Sequence, residues 1–471
     1  MNSRYITAID IGTSKLAVTV GERTSTGIKI IGYSETPIPA DGVRRSEIMN
    51  PMKVISVIKP TMQKVLEQVH SLPDTEHYSV RNVYVNISGQ ALRCCSESLR
   101  RNRQDPDSMI DTAEVTSMLE EMYLTKVEPS EKTIFVVPQY YNVDEFIDVG
   151  DPVGMIGKEI SGEYRLFVGS AGTVKKSSQT ISMSGLSLRR FILSPIAAAT
   201  SLLTDDEKEL GTVLVDIGAG TTDVLIYQGN IIRHAAVIPF AGNSISEDIS
   251  QICGVSLRNA ELMKIQHGSC VSEYAPDNKI IPIRDKNDTV IKNVPLKLFF
   301  QAIEARTCEI LATVRRIVEE SGYRERIRSG AVLTGGSARL KHIQALAHSI
   351  LGMDIRLGVP DSNTIIGNSV DDAFRPEASV ATGLVIKGFE YEDTLPESQA
   401  QSSGQPQPAE EATLFGEDGG QEGIPGTVRT DHRQQDSVNS QAQKPQKQPK
   451  QPKKPLSERI KSLFDSTEDE A

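Results

Sequence analysis

The tripeptide Asp-Ile-Gly occurs twice in this chain, about two hundred residues apart, each time between two short apolar runs. The first copy opens Asp10-Ile11-Gly12-Thr13-Ser14-Lys15 and lies between residues 5–9 and 16–20. The second opens Asp216-Ile217-Gly218-Ala219-Gly220-Thr221-Thr222-Asp223 and lies between residues 212–215 and 224–227. An apolar run, a Gly-containing turn and another apolar run predict a β-hairpin. Its tip offers backbone N–H groups, hydroxyls and a carboxylate. Two such tips, one opening each half of the chain, predict a clamp for a triphosphate and its metal.

In the first turn, Gly12 lets the backbone approach a phosphate closely. The Thr13 and Ser14 hydroxyls and N–H groups are donors, and Lys15 adds a point charge. Asp10, at the strand end, is expected to hold the metal through water, because Mg2+ keeps several of its waters. The second turn supplies Gly218 and Gly220, the hydroxyls of Thr221 and Thr222, and a matching carboxylate at Asp216. Asp223 either braces that turn or approaches the metal. A third Gly-rich segment, residues 333–340, carries Gly335, Gly336 and Ser337. Bare backbone there can lie flat against a purine, and the N-terminus of a following helix suits anionic groups; alone, the segment reads as a tight strand–helix turn. Glu261 and Lys264 are three apart and share a helical face. The stretches 154–158 and 169–177 look like phosphate loops but lack GxxxxGK[ST] spacing.

Strand and helix patterns alternate through the first 390 or so residues, which indicates an α/β fold. A length of 471 residues implies more than one domain. The net charge of −11 and pI near 5.3 argue against a nucleic-acid binder. Five cysteines without metal-ligand spacing predict reduced thiols in the cytosol. No basic-then-apolar leader and no membrane-length apolar run are visible, so any membrane association is expected to be peripheral. From residue 391 to about 454 the chain is Gln, Pro, Ser, Gly and charge. Such a segment buries too little to offset its ordering entropy, which predicts a disordered linker. As a flexible coil its reach is ~40–45 Å.

Beyond the linker, Leu456, Ile460, Leu463 and Phe464 recur at helical spacing, flanked by Arg459 and Lys461 and preceded by Pro455. This predicts a short amphipathic helix of the interfacial membrane type; a partner-docking helix is the alternative. Lys444, Lys447, Lys450 and Lys453 recur every third residue among prolines, so a polyproline II segment would align them on one side toward anionic lipid. Four apolar side chains contribute at most ~1.5–3 kcal/mol each on full burial. One copy therefore binds weakly and reversibly, and an assembly of copies binds firmly.

Taken together, these motifs resemble the FtsA family of actin-like bacterial cell-division proteins. The resemblance extends to residues 83–89, 151–157, 237–249, 260–268, 334–340 and 376–384. It implies an actin-like ATPase fold, with two lobes around a nucleotide cleft, a relocated β-rich subdomain and a disordered C-terminal tail. Subdomain 1A would comprise residues 1–82, 168–204 and 371–390, and the 1C insert residues 83–167. Subdomain 2A would comprise 205–241 and 324–370, and 2B residues 242–323. The linker is 391–454 and the membrane helix with its acidic end 455–471. ATP and Mg2+ would sit between the lobes, with Glu261 and Lys264 near the ribose. The family's partners would be the C-terminal peptide of the tubulin-like FtsZ on 2B, a second copy in a filament, other divisome proteins on 1C, and inner-membrane lipid at the division site. Related ATPases place a Glu before a Pro in the interlobe helix to orient the attacking water, where this chain has Ser194-Pro195. Nucleotide binding with slow or negligible hydrolysis follows. A PilM-like pilus-assembly adaptor and a sugar or acetate kinase of the same fold are the alternatives.

Overall fold

The computed structural model describes residues 4–284, 289–360, 365 and 370–394. The chain divides into two units, 1–405 and 406–471, and every described residue belongs to the first.

The duplication visible in the sequence becomes two sheets of the same topology. The first sheet has the order Ser187–Leu193, Asn82–Ile87, Tyr5–Ile11, Lys15–Thr24, Gly27–Pro37. The second has the order Ile355–Leu357, Ala331–Thr334, Thr212–Ile217, Thr222–Gln228, Ile231–Ile238. In each, the first three strands in sequence form an antiparallel meander. Two later strands then add in parallel beside the first. The central strands, such as Thr-Val-Leu-Val-Asp-Ile at 212–217, are almost continuously buried, as strands covered on both faces must be.

Between the sheets run the helices Ser194–Leu202 and Ser379–Thr394. Ala197, Ala198 and Ala199 on one and Ala381, Leu384 and Val385 on the other are fully buried in a core that also takes Leu214 and Leu225 of the second sheet and Ala8 of the first. The two helices touch through backbone: a Cβ on Gly383 would stand 1.7 Å from the Ala197 carbonyl oxygen. Only glycine permits that approach. The first lobe is completed by the helix Pro51–His70, whose N-cap Asn50 accepts from the Lys53 N–H. The second lobe is completed by Gly242–Cys253, Leu257–His267 and Leu296–Glu320, gathered on one large core.

The insert forms its own four-stranded sheet, in the order Arg93–Asn102, Glu159–Ser170, Glu131–Val143, Phe146–Val149. It is backed by the helix Thr112–Tyr123, and Asp111 caps that helix, accepting from the Glu114 N–H at 2.8 Å. The insert is seated on the second lobe, where Gln139 Nε2 donates to the Ile232 carbonyl at 3.0 Å.

Two expected boundaries move. Asn82–Ile87, read as the opening strand of the insert at residue 83, is instead an inner strand of the first sheet, paired on both sides. An apolar strand signal does not say which sheet will bury it. The body also does not end at 390. The last helix continues to Thr394, and Glu392 is buried, accepting from the Tyr84 hydroxyl at 2.8 Å. The remainder of the expected linker, and Leu456, Arg459, Ile460, Lys461, Leu463 and Phe464, lie outside the described residues.

Candidate functional site

The two hairpin turns face each other across a cleft of about 410 Å3. Each turn is closed by the same backbone bond: Gly12 N–H donates to Lys15 O at 3.0 Å, and Gly218 N–H to Thr221 O at 3.1 Å. The tips touch, since a Cβ on Gly220 would stand 2.4 Å from Thr13 Oγ1. Asp10, Gly12, Thr13, Ser14 and Lys15 line the cleft from one half, and Asp216, Gly218, Gly220 and Thr221 from the other. Glu261, Lys264, Gly335, Gly336 and Ser337 also line it.

Thr222 departs from the expected set. It is the first residue of its strand, fully buried, and its hydroxyl donates to Phe240 O at 3.0 Å. One step along a strand reverses the side-chain direction, so Thr221 meets the cleft and Thr222 the core.

Three carboxylates gather on the floor. Removal from water pushes Asp10 up to about 6, with Asp223 and Glu35 adding to the rise and Lys15 opposing it. Asp216 is pushed up to about 8, by burial and then by the negative charges of Asp223 and Asp10. Asp223, buried, is raised to about 6 by burial, against hydrogen bonds from Ser88 and Thr221. Ser88 Oγ donates to Asp223 Oδ2 at 2.9 Å, while Oδ1 is buried without a hydrogen-bond partner. Carboxylates crowded in this way ionise readily only beside a cation, which fits a hydrated divalent metal. Among the described residues no three His, Cys, Asp or Glu side chains form a direct ligand set. A metal here would therefore be held through its waters.

Lys15 does not point unaccompanied into the cleft. Its ammonium pairs with Glu35, which also accepts from the Tyr33 hydroxyl at 2.7 Å and lies 3.4 Å from Arg375. Burial raises the Glu35 carboxyl, but these partners outweigh it and hold the group below its ordinary value. Lys264 is a buried strut. Its Nζ donates to Gly242 O at 2.8 Å, Ser246 Oγ at 2.9 Å and Glu261 Oε2 at 2.7 Å, tying two second-lobe helices together. Burial lowers its pKa and Glu261 opposes that. Glu261 is the more exposed of the pair, beside the exposed Ile265. At the third Gly-rich segment, Gly335 has φ +87, and a Cβ there would stand 2.3 Å from Asp216 Oδ1. The segment enters a short 3-10 turn, Gly336–Arg339, before its helix begins at Ile343.

Three cleft residues carry no motif in sequence. Asn86 Oδ1 accepts from Ile11 N–H at 2.7 Å and its Nδ2 donates to Ser194 Oγ at 3.1 Å, latching the first turn to the interlobe helix. Glu35, on the strand Gly27–Pro37, and Ser46, in the turn before the helix Pro51–His70, likewise reach the cleft. Only the third dimension puts them there. The sole available signal was for Asn86, a polar residue within an otherwise apolar strand.

Comparison with known proteins agrees with this architecture. The family model described as "Cell division protein FtsA" matches residues 213–383, and that of the "SHS2 domain inserted in FTSA" matches residues 89–168. The second begins just after the strand Asn82–Ile87, where the insert departs from the first sheet. The cell division protein FtsA of Neisseria meningitidis serogroup B is 29% identical over 399 residues, covering 84% of this chain and 93% of the relative. That of Pseudomonas aeruginosa is 28% identical over 391 residues, covering 83% and 90%. That of Escherichia coli K12 is 26% identical over 402 residues, covering 82% and 91%. Among solved structures, a chain of the PilM–PilN type IV pilus biogenesis complex is similar in fold, with a TM-score of 0.56 at 16% identity, over 83% of this chain and 99% of that one. Both parts of the folded body, the duplicated lobes and the insert, thus carry the same signature, and the chain belongs to the FtsA family of actin-like cell-division proteins.

Proposed function

We propose that this protein binds ATP with Mg2+ between its lobes and acts as a membrane-tethered filament that links the FtsZ ring to the inner membrane at the division site. The observation that carries the nucleotide reading is the meeting of two equivalent turns, from two sheets of one topology, over three crowded carboxylates. Gly12, Thr13, Ser14 and Lys15 would hold phosphate from one side, and Gly218, Gly220 and Thr221 from the other. Asp10 and Asp216 would hold the metal through water, and the metal would neutralise phosphate charge. Gly335, Gly336 and Ser337 would frame the base, and Glu261 would take the ribose while Lys264 keeps that carboxylate in place.

Ser194 occupies the start of the interlobe helix, donating to Ile87 O at 3.4 Å and accepting from Asn86. A hydroxyl so engaged is a poor base, which supports slow or negligible hydrolysis. ATP turnover at chaperone-like rates that Ser194→Ala abolishes would overturn this.

No described helix is long and apolar enough to cross a membrane. The proposed tether is the amphipathic segment with Leu456, Ile460, Leu463 and Phe464, and the proposed FtsZ-peptide surface is the 2B region, residues 242–323. The insert is proposed to meet other protomers and divisome proteins. Titration of the full chain with Mg-ATP tests the site, and absence of saturable binding at millimolar nucleotide would defeat it. Sedimentation with anionic liposomes, with and without residues 456–471, tests the tether; equal pelleting would remove it. Titration with an FtsZ C-terminal peptide tests the partner, and no saturable signal would return weight to a PilM-like role, which the fold likeness alone does not carry.

A further inference from the structure

Between the third strand of the first sheet and the helix Pro51–His70 lies a two-residue hairpin turn joining Val43–Arg44 to Glu47–Ile48. Val43 and Ile48 are buried in the first-lobe core, which anchors the hairpin. Its tip residues, Arg45 and Ser46, both have positive φ (50 and 61), the geometry that a tight two-residue hairpin demands. Neither is the glycine or asparagine that such a turn favours.

That geometry brings Ser46 to the mouth of the clamp. Its N–H donates to Thr13 Oγ1 at 3.0 Å, on the first turn. Its hydroxyl shares a hydrogen bond with Thr221 Oγ1 at 2.9 Å, on the second turn. Ser46 lines the cleft and bridges the two tips where they meet. The opposite side of the hairpin is tied to the root of the insert, since Arg45 Nη1 donates to Gln90 Oε1 at 3.0 Å.

We propose that Ser46 is the residue that distinguishes a nucleoside triphosphate from a diphosphate. This rests on the cleft being a nucleotide site. Phosphates that fill the space between the tips must separate Thr13 from Thr221, and only the terminal group of the longer chain reaches the bridge. When it does, the Ser46 N–H and hydroxyl exchange two threonine oxygens for a phosphate oxygen. Hydrogen bonds to charged groups are the stronger kind, so the exchange favours the triphosphate. A diphosphate leaves the Thr13–Ser46–Thr221 bridge unchanged.

The test is calorimetric titration of the full chain with Mg-ATP and with Mg-ADP, for the native protein, Ser46→Ala and Ser46→Gly. Loss of the hydroxyl is expected to weaken ATP about tenfold, with ADP unchanged within about twofold, so the ATP-to-ADP preference falls by nearly an order of magnitude. Ser46→Gly also relieves the left-handed backbone. It should lose the same preference while melting no lower than the native protein, and it decides the question should Ser46→Ala fold poorly. Equal weakening of both nucleotides, or an unchanged ratio, overturns the role of Ser46 and leaves the cleft assignment standing. Failure of the native protein to bind either nucleotide overturns both.

Discussion

The two turns that meet at the cleft are alike in backbone and different in charge. Both close with a Gly N–H to carbonyl bond three positions along the chain, and both follow a strand that ends in Asp-Ile. In the first hairpin, the residue paired across from Asp10 is Ala17, and the turn carries Lys15. In the second, the residue paired across from Asp216 is Asp223, and the turn carries no cation. One half thus keeps a lysine and the other an extra carboxylate: burial raises both strand-end carboxyls, Lys15 chiefly opposes the rise at Asp10, which reaches about 6, and Asp223 and then Asp10 add to it at Asp216, which reaches about 8. Duplication set a shared scaffold, and single side chains on it made the two sides chemically different; in the proposed nucleotide site, the first side would answer phosphate charge and the second the metal's water.

The largest effect should come from breaking the backbone on the second side only. Gly335→Ala places a Cβ against Asp216 and the Ile217 carbonyl at a positive φ. It is expected to cost about 2–4 kcal/mol of stability and to remove measurable nucleotide binding. Gly12→Ala, with ordinary φ and its nearest contact at 3.0 Å, should cost no more than about 1 kcal/mol. Thermal melts and ATP titrations of the pair check this, and equal losses would break the asymmetry.

Next in size is the charge itself. Lys15→Ala should weaken Mg-ATP by about 10–100-fold, the worth of a charge-assisted hydrogen bond. Thr221→Ala, at the matching position of the second turn, should weaken it by no more than about tenfold. A larger loss at Thr221 would reverse the assignment of sides.

A third comparison uses pH, in chelator and without nucleotide. A carboxyl whose folded value lies above its unfolded one loses stability as pH rises from the unfolded value toward the folded one. Asp10→Asn and Asp216→Asn should therefore make no difference below the ordinary carboxylate value and raise the melting temperature alike as pH climbs from there to about 6. Between pH about 6 and about 8, only the Asp216 gain should continue to grow. Parallel profiles throughout would mean that Asp223 does not act on Asp216.

The smallest effect belongs to Glu35, held below its ordinary value by Lys15, Tyr33 and Arg375. Its contribution is full above that ordinary value and is lost as pH falls through the lowered one. Because the pair is partly exposed, Glu35→Gln should cost less than about 1 kcal/mol at neutral pH, with the difference from the native protein vanishing in acid.

Much of the site was legible because its chemistry is local. A turn of five or six residues dictates its own backbone, so Gly12, Thr13, Gly218 and Thr221 could be read from order alone and all reach the cleft. Period-two alternation likewise separates Thr221 from Thr222, although reading both hydroxyls as ligands overlooked it. The Glu261–Lys264 spacing was equally visible, but not that Lys264 would be consumed by Gly242 and Ser246 from another helix.

What the chain order determined by itself is the pair of turns, whose repetition shows the duplication, and the alternation of strands and helices, because each turn or element depends on neighbours a few bonds away. What only the tertiary structure decided is which side chains meet at those turns. Glu35 on Lys15, Ser46 between Thr13 and Thr221, and Asn86 joining Ile11 to Ser194 link residues from separate strands. The strand Asn82–Ile87 belongs to the lobe and not to the insert for the same reason. Sheet partners and cleft contacts are chosen by burial across long sequence separations, and no local pattern records that choice.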